Sequence, residues 1–351
     1  MCEIERPAVP SRTIHRVLPG VALLLLVVPV GCRRPPEKAV TDTVVIYTSV
    51  DQRFARQVLK RFEEQSGIRV EILADTEAGK TTGLLRRLER EVSRPRCDVW
   101  WSSEVFGTIE LARRGVLEPY ESPAAADIPS AWKDPEHYWT AGAARARVLA
   151  FHPERVKRDA LPQTWLELGS PPWASRLAIA NPQFGTTRGH IAAIWATAGP
   201  EATRKFLQGL SDAGAQIADG NAHAVRLVAS GAVDLCLTDT DDVWVAQQRG
   251  ESLDLIYPRL TPDGPIVWIP CSVACVRGGP HPAAARRLID YLVSAEVEQA
   301  LARSDSHNIP VRPELRKKLS IEGPHPHPLD FRRIADELDS ATRLARDILL
   351  Q

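Results

Sequence analysis

Between Thr43 and Arg114 the chain alternates short apolar β-rich runs with segments of helical periodicity, and this alternation restricts its architecture more than any other feature. Val44-Val45-Ile46-Tyr47-Thr48 reads as a strand apolar on both faces, the pattern of a strand inside a parallel sheet. Phe54, Val58, Leu59 and Phe62 follow at three- and four-residue spacing, and Gly67 stops that helix. Arg69 to Leu73 predicts a second strand. Thr82 to Val92 predicts a helix with Leu84, Leu85 and Leu88 inward and Arg86, Arg87 and Arg90 outward. Cys97 to Trp101 is a third strand, and Val105 to Arg114 a third helix ended by Gly115. Consecutive β-α units of this kind build an open parallel sheet with helices on its faces. Such sheets bind ligands at the loops leaving the carboxyl ends of their strands. That rule gathers Thr48, Ser49, Asp51, Ser102, Ser103 and Glu104 at one rim.

Later segments predict a second α/β lobe. Its strands are expected at Arg147–Phe151, Leu177–Ala180 and Val233–Leu237, with helices at Gly189–Thr197, Pro200–Gly209 and Ala222–Ser230. From Pro282 onward the pattern is helical again. The loop from Asn181 to Thr187 leaves a strand and opens a helix. Helix-start N–H groups beside the Thr186 and Thr187 hydroxyls, after Gly185, suit an anion; a plain N-cap is the alternative. Arg145 and Arg147 alternate on one strand and face the same way. Bidentate reach to an anion competes there with a surface role.

Ahead of the first strand stand a basic segment (Arg6, Arg12, Arg16), an apolar run to Val28, and Gly31-Cys32. These are the parts of a secretory signal, and a cysteine directly after a small residue is the bacterial lipoprotein form, with Cys32 lipidated. The run is shorter than the roughly 20 apolar residues a spanning helix needs. Residues 1–31 are therefore expected to be a signal peptide and 32–42 a Pro-containing, lipid-anchored linker. The whole chain holds 44 basic and 44 acidic residues. A balance this even argues against nucleic acid as a partner. Cys97, Cys236, Cys271 and Cys275 show no CxxC spacing, and buried free thiols are the expectation.

Read in order, several segments resemble the bacterial extracellular solute-binding proteins of ABC importers, nearest the ferric-iron-binding branch. They are Val45–Ser49, Phe62–Val70, Cys97–Glu104, Gly115–Tyr120, Arg145–Phe151, Gly231–Leu235 and Asn308–Val311. The resemblance implies a two-lobed α/β periplasmic-binding-protein fold, type II-like, with the ligand cleft between the lobes. Lobe I would comprise 43–142 plus about 270–310, and lobe II 143–269 plus about 311–351. It also implies a monomer at the periplasmic face or cell surface, working with permease and ATPase subunits. No catalytic residue and no resident cofactor is expected. The cargo would be ferric iron or another metal, with a synergistic anion at the Gly185–Thr187 loop.

The chain departs from the iron-binding pattern after the strand ending at Leu237. Thr238-Asp239-Thr240-Asp241-Asp242 stands where that branch has adjacent tyrosines, and Asp51 replaces its first-lobe histidine. Acidic residues in a helix's first turn complement its dipole. Three aspartates at a predicted cleft further suggest an oxygen-rich cation site, with Glu104 and Asp51 opposite. The expected metal ligands are Glu104, Asp239 and Asp241. The expected ligand contacts are Thr48, Ser49, Asp51, Ser103, Glu104, Arg147, Gly185, Thr186, Thr187, Asn221, Asp239, Thr240 and Asp241. Trp100, Trp101 and Trp244 are candidates to wall the cleft, with packing favoured for Trp100. The alternatives are a binder of a small organic or phosphonate-like anion, a sensor lobe without transport, and a carboxylate-dependent hydrolase. Against the last, the chain has no nucleophile elbow, P-loop, HExxH or GxGxxG motif.

Overall fold

The computed structural model describes residues 42–74, 82–321, 323–327 and 329–351. The expected export signal, Cys32 and nearly all of the expected tether lie outside them. The first lobe opens with β1 (Thr43–Thr48), α1 (Gln52–Ser66), β2 (Arg69–Ala74), α2 (Thr82–Arg90), β3 (Val99–Ser102) and α3 (Phe106–Arg113). β1 lies parallel between β2 and β3. Gly67 ends α1 in the left-handed region at φ 73°, a conformation that favours glycine.

After β4 (Leu117–Glu118) the chain crosses on β5 (Thr140–Phe151) into the second lobe. There it forms β6 (Leu177–Ala180), α4 (Gly185–Ala198), α5 (Pro200–Asp212), β7 (Gln216–Ala218) and α6 (Asn221–Ala229). β8 (Leu235–Asp239), α7 (Thr240–Gln248) and β9 (Asp254–Ile256) complete this run. It returns on β10 (Trp268–Val276) and ends in α8 (Pro282–Leu292), α9 (Ala295–Arg303), α10 (Pro313–Lys318) and α11 (Phe331–Leu349).

The strands run β2-β1-β3-β10-β5-β8-β6-β7, with β4 against β10 and β9 against β5. The expected parallel pairing holds on each flank, β2-β1-β3 and β7-β6-β8. The two flanks are joined by antiparallel strands, because the chain enters the second lobe on β5 and comes back on β10. β5 pairs with β10 from Thr140 to Ala146 and with β8 from Arg147 to Phe151. One strand therefore belongs to both lobes, and the cleft opens where it changes partner.

Trp101 is not a cleft wall. It is 2 % exposed beside the fully buried Trp100, because β3 is paired on both sides and covered on both faces. Cys97, Cys236, Cys271 and Cys275 are free and buried, as expected. Behind the cleft, α3 and α4 meet directly: Gly189 of α4 sits against the Phe106 ring, leaving no room for a side chain. Arg188 forks onto Glu110 of α3 at 3.0 and 2.8 Å. α11 packs across α4, α5 and α3, with Phe331 edge-on to Phe106 at its first turn.

Candidate functional site

β8 delivers Asp239 to the bottom of the cleft and α7 begins at the next residue. Asp239 is fully buried. Its Oδ1 accepts from Arg147 Nη1 at 2.8 Å. Its Oδ2 accepts from Thr186 Oγ1 at 2.6 Å and Asn221 Nδ2 at 2.9 Å. Arg147, also fully buried, donates further to Thr186 Oγ1, Asn221 Oδ1 and Thr187 Oγ1 at 3.1, 3.3 and 3.4 Å. Its Nε donates to His190 Nδ1 at 3.4 Å. Burial, then the Arg147 charge, holds His190 well below the usual histidine range, so the ring stays neutral and can accept. One buried ion pair thus gathers the first turns of α4, α6 and α7.

Arg145, two residues earlier on the same face of β5, reaches Asp241 Oδ2 at 2.9 Å and Asp239 Oδ2 at 3.6 Å. Its Nη2 meets Cys271 Sγ at 3.7 Å, and its Nε is buried without a hydrogen-bond acceptor among the described residues. Asp239, Asp241 and Asp242 each offer a carboxylate oxygen within 4.8 Å of the others. Burial, followed by the charges of Asp241 and Asp239, pushes the Asp242 carboxyl above the usual carboxylate range. Two of these carboxylates are paired with guanidiniums, Asp239 with Arg147 at 2.8 Å and Asp241 with Arg145 at 2.9 Å.

A cavity of about 490 Å³ opens above this floor. Ser49, Asp51 and Ser103 line it from the first lobe; Gly185, Thr186, Thr187 and Asn221 line it from the second; Asp239 and Asp241 lie at its base. α4 and α6 open after Phe184 and Gly220 without a side-chain cap, so their first-turn N–H groups start at the cavity wall. Asp51 also caps α1 by accepting from Arg53 N at 2.9 Å. Four expected contacts lie off the cavity lining. Thr48 is fully buried and accepts from Val50 N. Thr240 is fully buried and accepts from Ala146 N. Arg147 lies beneath the floor, spent on Asp239 and its neighbours.

Glu104, the fourth, is corrected from metal ligand to helix cap. Its carboxylate accepts from the N–H groups of Phe106 and Gly107, where α3 begins. A side chain two or three residues ahead of free helix N–H groups is held by them and turns away from the cleft. Burial pushes Glu104 up to about 7, against these hydrogen bonds and the Arg188 charge. The unfolded chain releases this proton near 4.5 and the folded one near 7. The stability tied to this group is therefore present below 4.5 and is lost as pH rises to 7. Glu104→Gln is expected to match the parent at pH 4 and to exceed it by on the order of 1–2 kcal/mol at pH 8. Urea melts at both pH values measure this; equal gaps at the two would remove the titration.

Lining residues outside the expected set include Arg145, Asn308, His223, Arg226 and Arg249. Asn308 was legible only as part of the Asn308–Val311 segment. Arg145 stands beside Arg147 as a candidate anion contact in the sequence, whereas His223 and Arg226 on α6 and Arg249 at the end of α7 carry no distinguishing pattern there.

A family model described as bacterial extracellular solute-binding protein matches residues 109–334, well over half the chain. The chain belongs to that family. It is a solute-binding protein of the transporter type and not an enzyme. Iron uptake protein A1 of Synechocystis is 25 % identical over 297 residues, spanning 80 % of this chain and 81 % of the relative. Iron-bound HitA from Pseudomonas aeruginosa superposes with a TM-score of 0.75 at 24 % identity, covering 88 % of this chain and 99 % of that one. Trichodesmium IdiA (FutA), solved with iron and citrate ligands, gives a TM-score of 0.73 at 17 % identity, covering 87 % and 99 %. At these identities the structural likeness is one of fold. Among the described residues of this solute-binding protein no tyrosine lines the cavity.

Proposed function

We propose that this protein is the receptor of an ABC importer, tethered through Cys32 at the periplasmic face or cell surface. It acts as a monomer and presents its cargo to the permease and ATPase subunits. Its lobes close about the crossing at Ala146–Arg147 on ferric iron carried as an anionic oxygen chelate. The pairing of the floor carboxylates with Arg145 and Arg147 carries this reading. A bare trivalent cation would meet carboxylates already paired with guanidiniums and would have to displace two arginines from them. Removing one member of a buried ion pair leaves an uncompensated charge, at a cost of about 3–5 kcal/mol. A chelate brings its own hard oxygen ligands and presents a carboxylate-type anion to the first turns of α4 and α6. The cavity, at about 490 Å³, also has room for more than a single ion.

Thermal melts of the purified protein with ferric citrate, citrate, phosphate, phosphonates and ferric nitrilotriacetate test this. Ferric citrate at a hundredfold excess over its Kd is expected to stabilise by about 2.7 kcal/mol, with citrate alone well behind. An equal shift from citrate without iron would make the cargo a metal-free organic anion. No shift with either ferric chelate would sink the iron reading.

A further inference from the structure

Two arginines share the floor, and they are not equivalent. Arg147 is fully buried and every nitrogen of its guanidinium has an oxygen or nitrogen acceptor. Arg145 lines the cavity with 14 % of its side chain exposed, beside Asp241 with 16 %. Its one short contact is to Asp241. Among the described residues its Nη2 meets a thiol, and its buried Nε has no hydrogen-bond acceptor. A guanidinium offers five N–H donors in a rigid fork suited to carboxylate or phosphate. Most of that capacity is unspent at Arg145, at the wall of a cavity, which is the condition of a donor set awaiting an oxyanion.

We propose that Arg145 and Asp241 form an exchangeable pair that selects cargo bearing both an oxyanion and a cationic centre. The oxyanion takes the Arg145 fork and the cationic centre takes Asp241. An anion alone draws Arg145 away and deprives Asp241 of its guanidinium; a cation alone does the reverse. Either half-exchange breaks a short ion pair in a largely desolvated site and puts nothing of like charge in place of the lost member, so each is disfavoured. A metal chelate satisfies both ends, as would a zwitterion. The selection rests on the chelate reading only for the identity of the wild-type cargo.

Crossed substitutions test it, with citrate as the anion probe and terbium(III) as the bare hard cation, read by calorimetry and tryptophan-sensitised luminescence. Asp241→Asn releases Arg145, and metal-free citrate should bind at least tenfold tighter than to wild type while terbium does not gain. Arg145→Gln releases Asp241, and terbium should gain at least tenfold while citrate weakens. Arg145→Lys keeps the charge and loses the fork, so terbium stays excluded while ferric citrate weakens at least tenfold. A purely structural pair would make both single variants lose both probes in parallel, and that result, or the absence of either gain, overturns the proposal. If ferric citrate fails on wild type but the crossed gains appear, the chelate reading falls and the exchangeable pair stands. If Asp241→Asn or Arg145→Gln does not fold, Arg145→Lys decides alone: unchanged ferric citrate affinity there would refute the fork.

Discussion

Arg147→Met is expected to cost the unloaded protein about 3–5 kcal/mol, because it strands the buried Asp239 carboxylate. The loss would be read as a lower urea midpoint with an unchanged slope. Asp239 is fully buried and its Oδ1 takes its short bond from Arg147. The remaining donors, Thr186 and Asn221, sit on its other oxygen and are themselves oriented by Arg147. The first turns of α4 and α6 should therefore loosen together, and ferric citrate binding should be lost even where the protein still folds. Adding Asp239→Asn removes the stranded charge and should return about 1–2 kcal/mol, since part of the single-variant cost is desolvation of the charge left without Arg147. Equal stability of Arg147→Met and wild type would refute this account of the floor.

The first-lobe elements were legible because each carries its own local signal. The Val44–Thr48 run, the Phe54–Phe62 periodicity and the Gly67 stop correspond to β1, α1 and its left-handed cap. The start of β5 was not. Thr140-Ala-Gly-Ala-Ala-Arg-Ala has low strand propensity, and it is a strand because β10 pairs with it across more than a hundred residues of chain. Its small residues fit a close approach; a Cβ at Gly142 would stand 3.1 Å from the Leu292 carbonyl oxygen. At the site, strand-exit loops identified Ser49, Asp51, Ser103 and Gly185–Thr187 as lining residues. Glu104 misled because a carboxylate at a strand exit looks the same in sequence whether it faces a cleft or caps a helix. The division of labour between Arg145 and Arg147 was equally hidden. Both face one side of β5, and only the depth of the sheet decides which is spent on Asp239.

Gly189→Ala should be the most damaging single-methyl change between the lobes, costing about 1–3 kcal/mol by overpacking and weakening ferric citrate at least tenfold. A Cβ at Gly189 would lie 2.1 and 2.3 Å from two atoms of the Phe106 ring. That ring is 2 % exposed and edge-packed on Phe331, so it has little room to retreat and α3 and α4 must part instead. Those helices start at the two walls of the cleft: α3 follows Ser103 closely, and α4 begins with Gly185, Thr186 and Thr187. The Arg188–Glu110 fork crosses the same contact and cannot stay bidentate if the helices separate by more than a fraction of an ångström. Phe106→Leu shrinks the obstructing ring. In a double-mutant cycle it should recover at least 1 kcal/mol of the Gly189→Ala loss and part of the affinity. Independent, additive effects of the two substitutions would mean that the helices do not meet through this contact.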